Sequence, residues 1–186
     1  MKPAATSKEE ILKTCRRMAS TQGWNDLNIR NVSSACQVSV GCLYHYFPSK
    51  SDLVSATVIS IWKEIFHLPE GFLKQNDLKA LLKQWYAQME DVFHTYPGFA
   101  TMHAPRLIAS NERQVSSVFM RRTWKQIVST IAQTIEKDPS ISANRFDPAF
   151  SSEQAAQILF SLLLASIVEE NYDPSLILTA ADRLLF

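Results

Sequence analysis

Between Ser39 and Val54 the chain reads SVGCLYHYFPSKSDLV, a run in which hydrogen-bond donors, a glycine and a positive charge stand at spacings suited to phosphate recognition. The Tyr44 hydroxyl and a His45 N–H can each donate to a phosphate oxygen, and Gly41 admits a sugar-phosphate backbone closely. Lys50 places a charge beside a helix N-terminus that itself attracts phosphate. Val40 and Cys42 are poor hydrogen-bonding readers. They favour apolar contact, for example with thymine methyls, which leaves part of base discrimination to DNA shape. Taken singly, Tyr44 and His45 read equally well as surface or half-buried aromatics. Their combination with Gly41 and Lys50 is what points to nucleic acid.

The elements that must hold these residues are legible around them. A short helix is expected from about Asn28 to Cys36, with Asn28 as N-cap, Leu27 and Val32 as a hydrophobic staple, and Ile29, Val32 and Cys36 on one face. Gln37-Val38-Ser39 is the turn. A second helix follows from Ser39 to Phe47, with Leu43 and Phe47 four apart and facing inward. Two short helices joined by three residues make a helix-turn-helix, spanning about 28–47, whose second helix enters the major groove. Pro48 stops that helix, and Ser49 with Asp52 opens the next, in the manner of a capping box.

With those residues in place, the stretch from about residue 7 to residue 55 resembles the N-terminal domain of the TetR family of one-component regulators. The matching residues are Ile11, Leu12, Gly23, Ile29, Arg30, Val32, Val38, Ser39, Gly41, Leu43, Tyr44, His45, Tyr46, Phe47, Ser49, Lys50 and Leu53, in the family's order and spacing. Three positions depart from it. Gln37 stands where a turn glycine is usual, Asn28 where threonine is common, and Cys42 where serine or threonine is usual. The resemblance implies an all-α chain. Its parts would be a three-helix DNA-binding domain over 5–65 and a helical effector-binding and dimerisation domain over 66–186. It implies DNA contacts from Asn28, Arg30, Ser39, Val40, Gly41, Cys42, Tyr44, His45 and Lys50. The partner would be a double-stranded operator, and an effector would move the helix after Pro48 and shift the heads.

Composition agrees with that expectation. The 186 residues include only four glycines, and long apolar periodicities dominate, so the chain reads as all-helical. The formal net charge of +1 hides an asymmetry. Through Trp62 there are seven Lys/Arg against four acids, a net of +3, and the remainder carries twelve against fourteen, a net of −2. A modestly basic head on a near-neutral body suits a protein that meets DNA at one end. No signal peptide is read at the start, and the most apolar segment, Ile158 to Val168, is too short to cross a bilayer, so the expected location is the cytoplasm. Cys15, Cys36 and Cys42 are odd in number and lack CxxC spacing, which indicates neither a disulfide framework nor a structural zinc site. Cys15 falls on the Ile11/Leu12/Met18/Ala19 face as a small core residue, and Cys42 is expected to be exposed, where its oxidation would weaken DNA binding.

Beyond the head, a helix from Ser49 to about His67 carries Leu53, Thr57, Ile61 and Ile65 on one stripe, and Pro69-Glu70-Gly71 ends it. Another runs from about Asn76 to Thr95, with Leu78, Leu81, Leu82, Trp85, Met89, Val92 and Phe93 inward. A helix bent at Pro105 is expected over Phe99 to Ala109, and Asn111 with Gln114 opens a long one to about Glu136. Ser151 with Gln154 opens a helix apolar nearly all round, and Asp173 as N-cap with Pro174 at the first position opens the last. A helix apolar on every side must be buried on every side. Its own domain can cover one face, and a second copy of the chain is the economical cover for the other. Leu159, Leu162, Leu163, Ile167, Leu178, Leu184 and Leu185 are the expected homodimer interface, although burial in the subunit's own core is the competing reading.

Bulky side chains in the body suit an apolar or aromatic small molecule. They are Trp62, Phe66, Trp85, Met89, Phe93, Met102, Phe119, Met120, Trp124, Phe160 and Leu163, with His103 and Arg106 as polar groups near the Pro105 bend. Core packing explains most of them equally well. Rival classes fare worse. Glu64 and His67 have the Glu-x-x-His spacing of a di-iron bundle, but a second such motif is missing, since Glu90 and His94 are four apart. No G-x-S-x-G nucleophile elbow occurs. No catalytic residue, metal or cofactor is therefore expected. The function expected is a DNA-binding transcriptional regulator, a repressor released from a pseudo-palindromic operator by its effector. The alternative is a co-activator or adaptor of the same fold that meets protein partners instead of DNA.

Overall fold

The structure, a computed structural model, describes residues 6–99 and 115–186, with the side chains of 115–120 excepted. Eight α-helices and no β-strand occur among the described residues. They are α1 (Lys8–Thr21), α2 (Ile29–Ala35), α3 (Val40–Tyr46), α4 (Lys50–Ile65), α5 (Leu78–Thr95), α6 (Val115–Lys137), α7 (Ser152–Val168) and α8 (Ser175–Leu185). The expected bend at Pro105 and the Asn111/Gln114 cap lie outside the described residues.

Local chemistry sets the boundaries. Ser7 and Glu10 close a reciprocal capping box on α1, and Ser151 and Gln154 do the same for α7. Asp77 caps α5 by accepting from the Ala80 N–H at 2.9 Å, so that helix starts two residues later than expected. Asn76, with φ of 48°, instead occupies the left-handed region that ends the preceding 3-10 turn. The last helix is assigned from Ser175, one residue late. Asp173 still acts as its cap, because its carboxylate accepts from the Ser175 N–H at 2.9 Å.

The head is built from α1, α2 and α3, and α1 packs against α4. The body is a bundle in which α4 and α5 pack on α6 and on each other, while α7 lies along α6 and carries α8. The stripe expected on α4 is entirely inward: Leu53, Thr57, Ile61 and Ile65 have no exposed surface. Thr57 spends its hydroxyl on the Leu53 carbonyl at 2.9 Å, which satisfies its one polar group inside the core.

Asp138, just past α6 and only 6% exposed, ties two helices together. Its carboxylate accepts from the N–H of Leu78, the first residue of α5, at 2.9 Å, and from the backbone and hydroxyl of Ser140. Burial pushes its pKa up, but these donors prevail and hold it below the ordinary carboxylate value. Asp138→Ala is expected to cost about 1–3 kcal/mol, because the α5 N-terminus loses its acceptor. A depressed carboxylate contributes stability above its unfolded value and loses it as pH falls through its folded one. The gap in Tm between wild type and variant should therefore be full at neutral pH and shrink only below about pH 4. Thermal melts across that range check it.

Candidate DNA-binding face and its connection to the body

The recognition face is assembled from three caps in succession. Asn28 accepts from the Asn31 N–H at 2.9 Å and starts α2. Ser39 accepts from the Cys42 N–H at 3.1 Å and starts α3. Ser49 accepts from the Asp52 N–H at 3.1 Å and starts α4. Asp52 returns the contact through the Ser49 hydroxyl, at 2.7 Å, instead of through the backbone as in a full capping box. Between α2 and α3 the turn passes through Gln37 with φ of 56°, the left-handed position that a glycine would occupy without strain.

Leu43 and Phe47 are fully buried, and so are Leu27 and Val32 of the staple. With those sides fixed, α3 turns its remaining faces outward. Ser39, Val40, Gly41, Tyr44 and His45 are exposed, as are Lys50 and Arg30, while Asn28 and Cys42 are half-buried. Cys42 is thus less open than its place on α3 suggested. Tyr44 leaves half of its surface in solvent, beside the exposed Val40.

Gly41 is informative in another way. A Cβ built there would meet nothing of the protein closer than the Ser39 hydroxyl at 3.9 Å, and its φ is not positive. No internal contact requires glycine, although glycine is a poorer helix former than alanine.

Residues 11–57 match the sequence model of bacterial regulatory proteins of the tetR family. That likeness in sequence covers about a quarter of the chain, all of it in the head and the start of α4. No curated protein sequence matches it significantly. The TetR-like arrangement extends through the body in comparisons of structure. The reduced form of Escherichia coli NemR is 17% identical, with a TM-score of 0.63, over 96% of this chain and 96% of that one. BioQ with its natural double-stranded DNA operator is 15% identical, with a TM-score of 0.57, over 96% of this chain and 98% of that one. A TetR variant from Acinetobacter baumannii AYE in complex with minocycline is 15% identical, with a TM-score of 0.56, over 96% of this chain and 94% of that one. Identities this low establish the shared fold alone.

Head and body are joined by polar contacts that the sequence did not announce. Arg16 of α1 donates from Nε to Glu64 of α4 at 2.8 Å, and Tyr96, capping α5, donates its hydroxyl to the other oxygen of Glu64 at 3.0 Å. Burial, followed by the Glu64 charge, pushes the Tyr96 phenol up to about 12, so it remains a donor at physiological pH. Trp24 of the head donates its indole N–H to the Pro97 carbonyl at 3.3 Å, and Phe99 packs its ring 5.7 Å from Trp24 and 5.5 Å from Trp62. Glu64, the carboxylate of the Glu-x-x-His spacing, is thereby committed to an ion pair and a phenol.

In the body, the described residues expected to line an effector site are buried or half-buried. Trp62, Trp85, Met89 and Leu163 are buried almost completely, Phe160 is 8% exposed, and Phe66, Phe93 and Trp124 are half-buried. Phe66 stacks on Trp62 at 6.1 Å and meets the edge of Trp85 at 5.5 Å, while Trp124 and Phe160 form a separate pair at 6.0 Å. Phe93 stacks at 5.0 Å on Tyr172, a neighbour not foreseen because it comes from the loop before α8. Met102, His103 and Arg106 lie outside the described residues, as do the side chains of Phe119 and Met120.

The expected dimer interface needs correction on α7 and α8. Leu159, Leu163, Ile167 and Leu185 are buried in the subunit's own core, so they cannot meet a second copy directly. Leu162, Leu178 and Leu184 are half-buried. The open side of the pair is offered instead by Ile158, Leu162, Ala165 and Val168 on α7 and by Leu176 on α8. The α7 residues fall three or four apart and make one stripe. Among the described residues no helix is long and apolar enough to cross a membrane.

Proposed function

We propose that this chain binds a pseudo-palindromic operator as a homodimer, represses the adjoining genes, and lets go when a small apolar or aromatic effector enters the body. The observation that supports this most is the outward face of α3, where Val40, Tyr44 and His45 stand exposed around Gly41, with Lys50 at the start of the following helix. Tyr44, His45 and Lys50 supply donors for phosphates, and Val40 with Cys42 supplies apolar contact to base edges. The open stripe of α7 and α8 is the surface a second copy would cover, in a four-helix arrangement. An effector acts only if it binds the DNA-incompetent state more tightly. The connection through Glu64, Tyr96, Trp24 and Phe99 is the route by which movement in the body would reach the head.

Selection of bound fragments from sheared source DNA at near-physiological salt tests this reading. Enrichment of one inverted repeat is the expected result. Retention without a common motif would mean sequence-independent association through phosphates, and absence of retention would favour the adaptor reading.

Gly41→Ala separates the role of α3 in folding from its role in binding. The head should gain up to about 1 kcal/mol from the better helix former. Operator affinity should nevertheless fall, because the added methyl group occupies space meant for the DNA backbone. Thermal melting and operator titration of the same preparation would show the two effects moving in opposite directions. An affinity as good as wild type would take Gly41 off the contact face.

A further inference from the structure

The segment that follows α5 holds the head in two chemically different ways. Residues 96–99 form a tight turn closed by the Phe99 N–H on the Tyr96 carbonyl at 3.1 Å, with Pro97 and then Gly98, at φ of 76°, in the middle positions. Proline followed by a residue of positive φ is the pattern of a type II turn, a stiff piece of backbone. Through its later residues the turn meets the head by ring packing, with Phe99 against Trp24 and Trp62, and by the Trp24 indole on the Pro97 carbonyl. Through its first residue it meets the head by charge, because Tyr96 donates to Glu64, whose other oxygen accepts from Arg16 at 2.8 Å.

The two attachments constrain the head differently. Apolar contact is non-directional, so it keeps the head on the body without dictating its angle. Hydrogen bonds to an ionised carboxylate are stronger than neutral ones and depend on alignment. The Arg16 side chain keeps only 17% of its surface in solvent, which limits screening of the pair by salt. Glu64 stands in the last turn of α4, while α3 leads into the first turn of the same helix. At 16 residues, α4 is about 24 Å long. A change of about 10° in the head's angle, taken about Glu64, therefore carries α3 about 4 Å, more than the roughly 3.4 Å rise of one base pair.

We propose that Glu64 is a positioning residue for operator recognition: by clasping Arg16 and Tyr96 it fixes the angle of the head, and with it the half-site separation that the dimer accepts. The inference rests on the reading of the chain as a dimer on a pseudo-palindrome and adds the residue that sets the spacing. Loss of the clasp leaves the apolar attachment and the outward face of α3 in place. Each head then still binds its half-site, and what disappears is discrimination among spacings.

The test uses the full chain and a pool of duplexes in which half-sites of random sequence are joined as inverted repeats, with spacers from nothing up to about 10 base pairs, one turn of the double helix. The unaltered protein should enrich one half-site at one spacer length, preferred about tenfold or more over spacers a base pair longer or shorter, because joint engagement is lost where geometry forbids it. Glu64→Gln, which removes the charge at constant size, should enrich the same half-site with that preference reduced to about threefold or less. Tyr96→Phe, which deletes a single hydroxyl, should flatten the profile in the same way, and it decides the matter if the first variant melts early. Arg16 keeps Glu9 as a partner at 3.3 Å in either variant, so no charge is stranded. Melting and affinity for an isolated half-site should therefore match the unaltered protein, which separates a lost angle from a damaged head. A profile as sharp as that of the unaltered protein in the deciding variant overturns the inference and leaves the dimeric reading standing, as does a loss of half-site affinity equal to the loss on the repeat. Recovery of no inverted repeat by the unaltered protein overturns the dimeric reading and the inference with it.

Discussion

Ile158→Glu is expected to yield a folded monomer that binds operator DNA about a hundredfold or more weakly. Ile158 is 42% exposed on the open stripe of α7, and Val168 and Leu176 leave 56% and 64% of their surface in solvent. Such residues on neighbouring helices form an apolar surface of the kind that marks an association site. In a two-fold dimer the same residue appears on both sides of the interface, so one substitution introduces two carboxylates into it. Loss of the second head removes the gain from joining two binding events, which is on the order of 10²–10⁴ in affinity. Sedimentation, circular dichroism and operator titration check the three parts. A variant that stays dimeric would place the interface elsewhere. Leu163, five residues from Ile158 and so on another face of the helix, is fully buried and should behave differently. Leu163→Ala should cost about 2–5 kcal/mol of subunit stability and report on the core instead of the interface.

That contrast shows where sequence reasoning reached its limit. In α7, Ile158, Leu159, Leu162, Leu163, Ile167 and Val168 are all apolar, so a period of 3.6 cannot say which side meets the subunit's own core. Burial in the structure sets the phase. The head posed no such problem. Its helices are short, their caps are polar side chains three residues from the groups they satisfy, Leu27 and Val32 are each flanked by polar residues, and Leu43 and Phe47 fall four apart, which fixes the inward direction. Gln37 stands where a turn glycine is usual, and its positive φ shows the conformation that favours glycine there. The clasp of Arg16, Glu64 and Tyr96 left no sequence signal, because its members are 48 and 32 residues apart and each reads as an ordinary surface group.

Leu43→Ala should abolish operator binding by a different route, through loss of the head's own fold. The recognition helix is only seven residues long, well below the length at which a helix holds itself in water. Its position therefore depends on anchorage. Leu43 is fully buried, Phe47 is 1% exposed beneath the Lys8 ammonium at 5.5 Å, and the Tyr46 hydroxyl donates to the Thr6 carbonyl at 2.9 Å. Truncating Leu43 removes about 2–5 kcal/mol, a large share of the roughly 5–15 kcal/mol that stabilises a domain. Melting should shift downward and hydrogen exchange in α2 and α3 should quicken, while association through α7 and α8 persists. Tyr44→Ala, one residue along but half exposed, should weaken binding with little change in melting. If both variants lost binding at unchanged stability, Leu43 would have to reach DNA itself, which its burial forbids. If Leu43→Ala kept full affinity, Phe47 and the Tyr46 contact would suffice to hold α3, and its anchorage would lie at the C-terminal end of the helix.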